Sequence, residues 1–124
     1  MNTKDIAQEF VALCKQGRFD EAGRRFWSED VVSLEPMEGA MREARGRAAV
    51  AQKGEWWSAN HDVHGVSTEG PWVHGDQFGV RFTMDVTPKV GPMAGQRIQA
   101  DEIGLYTVRG GKIVEERFFY GAGE

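Results

Sequence analysis

The chain has 124 residues, 15 of them Lys or Arg and 19 Asp or Glu, with a formal net charge of −4. That length holds one compact domain with a real core, but not a nucleotide-binding domain joined to a substrate domain. The acidic balance argues against a nucleic-acid partner and against a polybasic membrane anchor, and the single cysteine, Cys14, excludes an intrachain disulfide and any cysteine-rich zinc motif.

The N-terminal MNTKDIAQEF carries Asp and Glu and no apolar core segment, so no signal peptide is visible. No apolar run approaches the roughly 18 residues of a membrane helix. The expectation is a single cytoplasmic domain over residues 1–124 without a membrane partner.

Asn2 or Thr3 is placed to cap a first helix, in which Ile6, Phe10, Leu13 and Cys14 fall at i, i+4, i+7 and i+8, with Gly17 ending it. A short second helix carries Phe19, Ala22 and Phe26. VVSLEPM, Val31 to Met37, reads as a strand stopped by Pro36. A polar stretch, Glu38 to Gly46, leads to a third helix from Arg47 to about Asn60, holding Val50, Lys53, Trp56 and Trp57. Strand patterns then take over. Asp62 to Thr68 and Trp72 to His74 flank a Glu69-Gly70-Pro71 turn, and Phe78 to Thr87 alternates with period two. A Pro/Gly-rich connection precedes a long strand from about Arg97 to Val108. Gly110-Gly111 turns into a final strand, Lys112 to Tyr120. Helices first and a meandering sheet after imply an α+β fold with the helices on one face.

A two-residue Gly110-Gly111 turn pairs Arg109 with Lys112, Leu105 with Glu116, Ile103 with Phe118 and Asp101 with Tyr120. This register gathers Ile103, Leu105, Val114, Phe118 and Tyr120 on one apolar face, interrupted by Asp101 and Glu116.

Common site motifs are absent: there is no G-x-G-x-x-G, G-x-S-x-G or H-E-x-x-H. Gly110-Gly111-Lys112 resembles the end of a phosphate loop, but Ile113 stands where a Ser or Thr would hold magnesium, so it reads as a hairpin turn. His61 and His64 point to opposite faces of a strand. His64 and His74 meet only across a hairpin and lack a third ligand, so no metal site is assigned. His64 suits a pocket wall or the surface. Arg42, Arg45 and Arg47 suit an anion or, on general grounds, a solvated loop. Burial trends favour a helix-surface role for Lys53 over an activated amine. Of Trp56 and Trp57, one belongs to the core and the other to a cavity or subunit interface. Cys14 reads as a buried, inert thiol.

Three carboxylates stand out. Glu35 precedes a proline at the end of a strand, and Asp101 and Glu116 interrupt an apolar face. A buried carboxylate is paired, or has a pKa shifted toward neutrality, as proton transfer at carbon requires. For Asp101, a hydrogen bond from Tyr120 is the structural alternative.

The order helix, short helix, strand ending in Glu35-Pro36, R-G-R-A-A-V helix and a sheet finishing in GGKIVEERFF resembles the nuclear transport factor 2-like superfamily. Within it the chain is similar to ketosteroid isomerase-like and SnoaL-like (polyketide cyclase-related) proteins over nearly its whole length. The resemblance implies three helices on a strongly curved, mostly antiparallel mixed sheet, a cone-shaped α+β barrel with an internal apolar pocket, and a homodimer through the sheet. It places Glu35 at the general-base position. Phe10 stands where the isomerases have an oxyanion-stabilising Tyr. Their second donor, a protonated Asp, falls near Ile103, with Asp101 one pleat away. The cyclases' acid/base position falls on Phe118, with Glu116 one pleat earlier. Losing an oxyanion donor costs about 10²- to 10³-fold in rate, which argues against a true steroid isomerase.

The resulting expectation is a cofactor-independent acid/base enzyme of isomerase, dehydratase or cyclase type, acting on a small, largely apolar organic molecule. Glu35 is the base, Asp101 and Glu116 are candidate acids, and Phe10, Trp56, Trp57, His64, Phe82, Met84, Ile103 and Phe118 are candidate substrate contacts. The alternative is a non-catalytic ligand-binding or dimerisation module on the same fold.

Overall fold

The computed structural model describes residues 1–120. Its elements are α1 (Thr3–Lys15), α2 (Phe19–Phe26), β1 (Trp27–Leu34), β2 (Glu43–Arg45), α3 (Arg47–Ala59), β3 (His61–His74), β4 (Gln77–Pro88), β5 (Ile98–Arg109) and β6 (Lys112–Phe119). The six strands form one mixed sheet in the order β2-β1-β6-β5-β4-β3. The β1–β6 pairing is parallel and the others are antiparallel. The sheet is not closed into the expected barrel. Strands β2 and β3 are its two edges.

Local chemistry explains the helices. The Asn2 side chain accepts a hydrogen bond from the Asp5 amide at 2.8 Å and caps α1. The apolar stripe of α1 then buries Ile6, Phe10, Leu13 and Cys14 against the sheet. Gly17, at φ +75°, takes the left-handed conformation that ends the helix. In contrast, α3 buries only Val50. Lys53 and Trp57 follow at i+3 and i+7, so this helix lays a mixed polar and aromatic stripe over β1.

The core lies between α1 and the concave face of the sheet. Phe10 meets the rings of Phe26, Phe78 and Tyr106 at centroid distances of 6.4, 5.8 and 4.8 Å. At this level the expected internal apolar pocket is filled by aromatic side chains.

Two expectations about the sheet are corrected. Glu69-Gly70-Pro71 is not a hairpin turn: β3 runs on to His74, and an irregularity in the pairing between Glu69 and Trp72 accommodates Gly70 and Pro71. His64 and His74 therefore sit towards opposite ends of one strand and do not meet. In the last hairpin the Arg109–Lys112 pairing holds and Val108 pairs with Ile113 in the same register, but Thr107 pairs with Glu115. Val114 is the extra residue of a β-bulge. Beyond it the register moves by one, and Glu116 pairs with Tyr106, Arg117 with Leu105 and Phe118 with Gly104. The residues of β5 that share the concave face with Glu116 are consequently Glu102, Gly104 and Tyr106. Asp101, Ile103 and Leu105 face outward.

Candidate functional site

Alternation along β1 puts Val31, Ser33 and Glu35 on the concave face, and parallel pairing sets Ser33 beside Glu116 of β6. Lys53 reaches this pair from α3. Its Nζ lies 3.0 Å from Glu35 Oε1 and donates to Ser33 Oγ at 2.6 Å. Ser33 in turn donates to Glu116 Oε2 at 2.8 Å. The Trp27 indole donates to Glu116 Oε1 at 2.9 Å. Both members of the Lys53–Glu35 pair are about 15% exposed in their side chains, so this ion pair is largely removed from water. The Lys53 ammonium also stands 5.3 Å from the centroid of the Phe118 ring. Glu35 Oε2 is buried without a hydrogen-bond partner among the described residues.

The charges in this space are uneven. Burial raises the pKa of Glu116, and the bonds from Ser33 and Trp27 oppose the rise. Burial and then the charge of Glu35 push Glu102 up to about 7, against the attraction of Lys53. Burial also raises the Tyr106 phenol, followed by the charge of Glu116. The Tyr120 phenol rises through burial and the neighbouring Glu35 carboxylate. Cys14 on α1 is pushed to about 12 by burial and by Glu116, as befits the inert thiol expected of it.

The arrangement supplies a carboxylate with one buried, unpaired oxygen, a cation beside it and a carboxyl group poised near neutrality. Those are the parts of proton transfer. A solvent-open cleft of about 750 Å³ reaches Glu35 between Leu34, Pro36, the Met37–Ala40 connection, Arg42 and Arg117.

The sequence-derived candidates divide. Glu35, Glu116 and Phe118 come together around Lys53. Asp101 does not. It lies half exposed on the outer face, where Arg81 grips it at 3.1 and 2.6 Å and holds its carboxyl below the usual carboxylate range. The bulge at Val114 is the reason, because it brings Glu102 and not Asp101 to the concave face. Ile103 is 40% exposed on the outer face for the same reason. Phe10 and Phe82 are buried in the core. Met84 shares the phase of Phe82, opposite Ala100. Trp57 stacks on His61 at 4.3 Å, whereas Trp56 is exposed. His64, also exposed, bonds Thr87 Oγ1 at 2.8 Å.

Ser33, Trp27 and Glu102 were not candidates from sequence, and Lys53 was assigned to the surface. Two signals were available: Ser33 is two residues before Glu35 on a strand, and Lys53 lies in the Val50–Trp57 stripe of its helix. Among the described residues, no three His, Cys, Asp or Glu side chains are grouped to hold a metal ion, and no helix is long and apolar enough to cross a membrane.

Three helices on an open, curved six-stranded sheet, with ionisable groups gathered under the third helix, define an α+β cone of the ketosteroid isomerase-like kind. The family model for the SnoaL-like domain matches residues 1–120, and the chain belongs to that family. A Mesorhizobium loti protein assigned as a SnoaL-like polyketide cyclase is 50% identical, with a TM-score of 0.92 over 97% of this chain and 100% of that one. A protein of unknown function with a cystatin-like fold from Xanthomonas campestris shares the fold at 20% identity and TM-score 0.76, over 98% of this chain and 92% of its own. A hypothetical protein with a ketosteroid isomerase-like fold from Catenulispora acidiphila, solved with trimethylamine, shares it at 18% identity and TM-score 0.70, over 97% and 88%. No functionally curated protein matches the chain in sequence.

Proposed function

We propose that this protein is a cofactor-independent acid/base enzyme that enolises a small, largely apolar carbonyl compound, as an isomerase, dehydratase or cyclase would. The observation that carries this reading is the Glu35–Lys53–Ser33–Glu116 network with Glu102 alongside. Glu35 takes the proton alpha to the carbonyl on its unpaired oxygen, Oε2. Glu102, protonated in the fold up to about pH 7, donates to the carbonyl oxygen or returns a proton to carbon. Glu116 has both oxygens engaged by Ser33 and Trp27, so its part is to hold Ser33 in place. Phe118, partly buried beside Lys53, offers the substrate apolar surface.

The test is deuterium uptake at the alpha carbon of a panel of uncharged cyclic ketones and β-diketones, followed by NMR. The wild type should accelerate exchange on at least one, and Glu35→Gln should lose about 10²-fold or more of that rate. Absence of acceleration across the panel, with the ketones nonetheless bound, would favour the second reading, ligand binding without turnover. The aromatic filling of the core supports that second reading.

We propose further that the protein associates through the outer face of its sheet as a homodimer. The exposed side chains of Ile103 and Phe119 on the adjacent strands β5 and β6, and of Trp72 on β3, support this.

A further inference from the structure

Phe10 leaves the site without the hydroxyl that the family resemblance implies for an oxyanion donor, and its ring is packed into the core. Lys53 stands nearer the base. A lysine ammonium has three N–H donors. One points to Glu35 Oε1 at 3.0 Å and one to Ser33 Oγ at 2.6 Å. Neither acceptor is free to turn away, since Glu35 has no other cation within bonding distance among the described residues and Ser33 is committed to Glu116. The third donor has no oxygen partner among the described residues, and the Phe118 ring lies 5.3 Å from the nitrogen.

We propose that Lys53 is the electrophilic catalytic residue of this site, taking the substrate's carbonyl oxygen on its third N–H as Glu35 removes the neighbouring proton. The inference rests on the acid/base reading above and deepens it. In the ground state the Lys53 charge is balanced by the Glu35 carboxylate. When the carbon–hydrogen bond breaks, the proton passes to Glu35 and the electron pair moves through the new carbon–carbon double bond to the carbonyl oxygen. Glu35 is then neutral and the substrate oxygen negative. The ion pair is handed from Glu35 to the enolate, with no net charge created in a site withdrawn from water. A cation that is compensated before the reaction and released during it stabilises the transition state more than the ground state, which is the requirement for catalysis. Glu102 and Glu116, the other carboxyl groups facing Lys53, both have pKa values raised by burial and so compete less for its charge.

The proposal makes an uncommon prediction for the base variant. Glu35→Gln imitates the protonated base, so it should bind an enolate-like anion more tightly than the wild type does. The probe is p-nitrophenolate, titrated by its absorbance at a fixed pH at which the free phenol is ionised, against uncharged p-nitrotoluene. The phenolate-to-nitrotoluene affinity ratio should rise about tenfold in Glu35→Gln, in keeping with one charge-assisted hydrogen bond. The gain should vanish in the Glu35→Gln/Lys53→Met double variant, which removes both charges and so avoids a buried unpaired ion. Lys53→Arg in the same background should retain part of it. An equal ratio in Glu35→Gln and the double variant, or no gain in Glu35→Gln, would overturn the assignment of Lys53. The deuterium-exchange test of Glu35 has a separate readout, so failure of the Lys53 assignment is distinguishable from failure of the acid/base reading on which it rests.

Discussion

Glu102 shows how one residue's surroundings become a property of the whole protein. Its carboxyl group ordinarily titrates near 4.5 and is raised to about 7 in the fold, first by burial and next by the charge of Glu35. The folded state therefore binds the proton more tightly than the unfolded chain does. The associated stability is fully present below about pH 4.5 and is lost as pH rises through about 7. A Glu102→Gln variant keeps the neutral, hydrogen-bonding form at every pH. Compared by urea unfolding, the two proteins should be equally stable near pH 4.5. By pH 8 the variant should be more stable by roughly 1–3 kcal/mol, the upper figure applying to a fully desolvated group. Parallel stability curves across that range would show that Glu102 does not carry the shift. Glu116 adds a slope of the same sign in both proteins, so the comparison isolates position 102.

At the scale of elements, α2 and the start of β1 are coupled through a missing side chain. Gly23 lies inside α2, where Ala is the better helix former by about 1 kcal/mol. A Cβ at position 23 would stand 2.6 Å from two carbons of the Trp27 ring, the ring whose N–H holds Glu116. The steric effect should prevail over propensity. Gly23→Ala is expected to lose about 1–3 kcal/mol of stability, with a shifted tryptophan emission as the indole moves away from Glu116. A more stable variant with unchanged emission would contradict this. The same scale marks what the sequence discloses. The amphipathic stripe of α1, the Gly110-Gly111 turn and the alternation of β4 are local patterns, and each lies where expected. Glu35 beneath the third helix was legible from its strand and proline. The bulge at Val114 was not, since neither neighbour carries a glycine or other marker, and one inserted residue was enough to exchange Asp101 for Glu102. The inward turn of Lys53 has only a faint sequence signal because α3 buries only Val50, and it follows from the contact of that helix with β1.

For the whole molecule, the same bulge decides what the outer face of the sheet presents. Ile103 and Phe119 pair across β5 and β6 on that face, 40% and 47% exposed, and Trp72 is 57% exposed beyond Gly79. Around them stand Arg81, paired with Asp101 and near Glu69, and Arg117. An apolar centre ringed by charges of both signs suits an isologous contact, in which a two-fold axis sets each patch against its copy and lets Arg81 of one subunit face acidic residues of the other. Stable dimers of this kind bury about 800 Å² from each partner. An open six-stranded sheet offers such a face, whereas the concave side is taken up by helices. Ile103→Glu puts a charge at the centre of the patch while leaving the concave core untouched. As an exposed substitution it should change monomer stability by no more than about 0.5 kcal/mol. Sedimentation velocity should show the wild type as a dimer and Ile103→Glu as a folded monomer of unchanged circular dichroism. A wild type that sediments as a monomer, or a variant that remains dimeric, would exclude this face as the contact. Because Glu102 is the next residue along β5 and points the other way, a dimer built here would brace the strand that carries the site's acid. Deuterium exchange on the ketone panel should then fall with dilution of the wild type, and Ile103→Glu should show the diluted rate at every concentration.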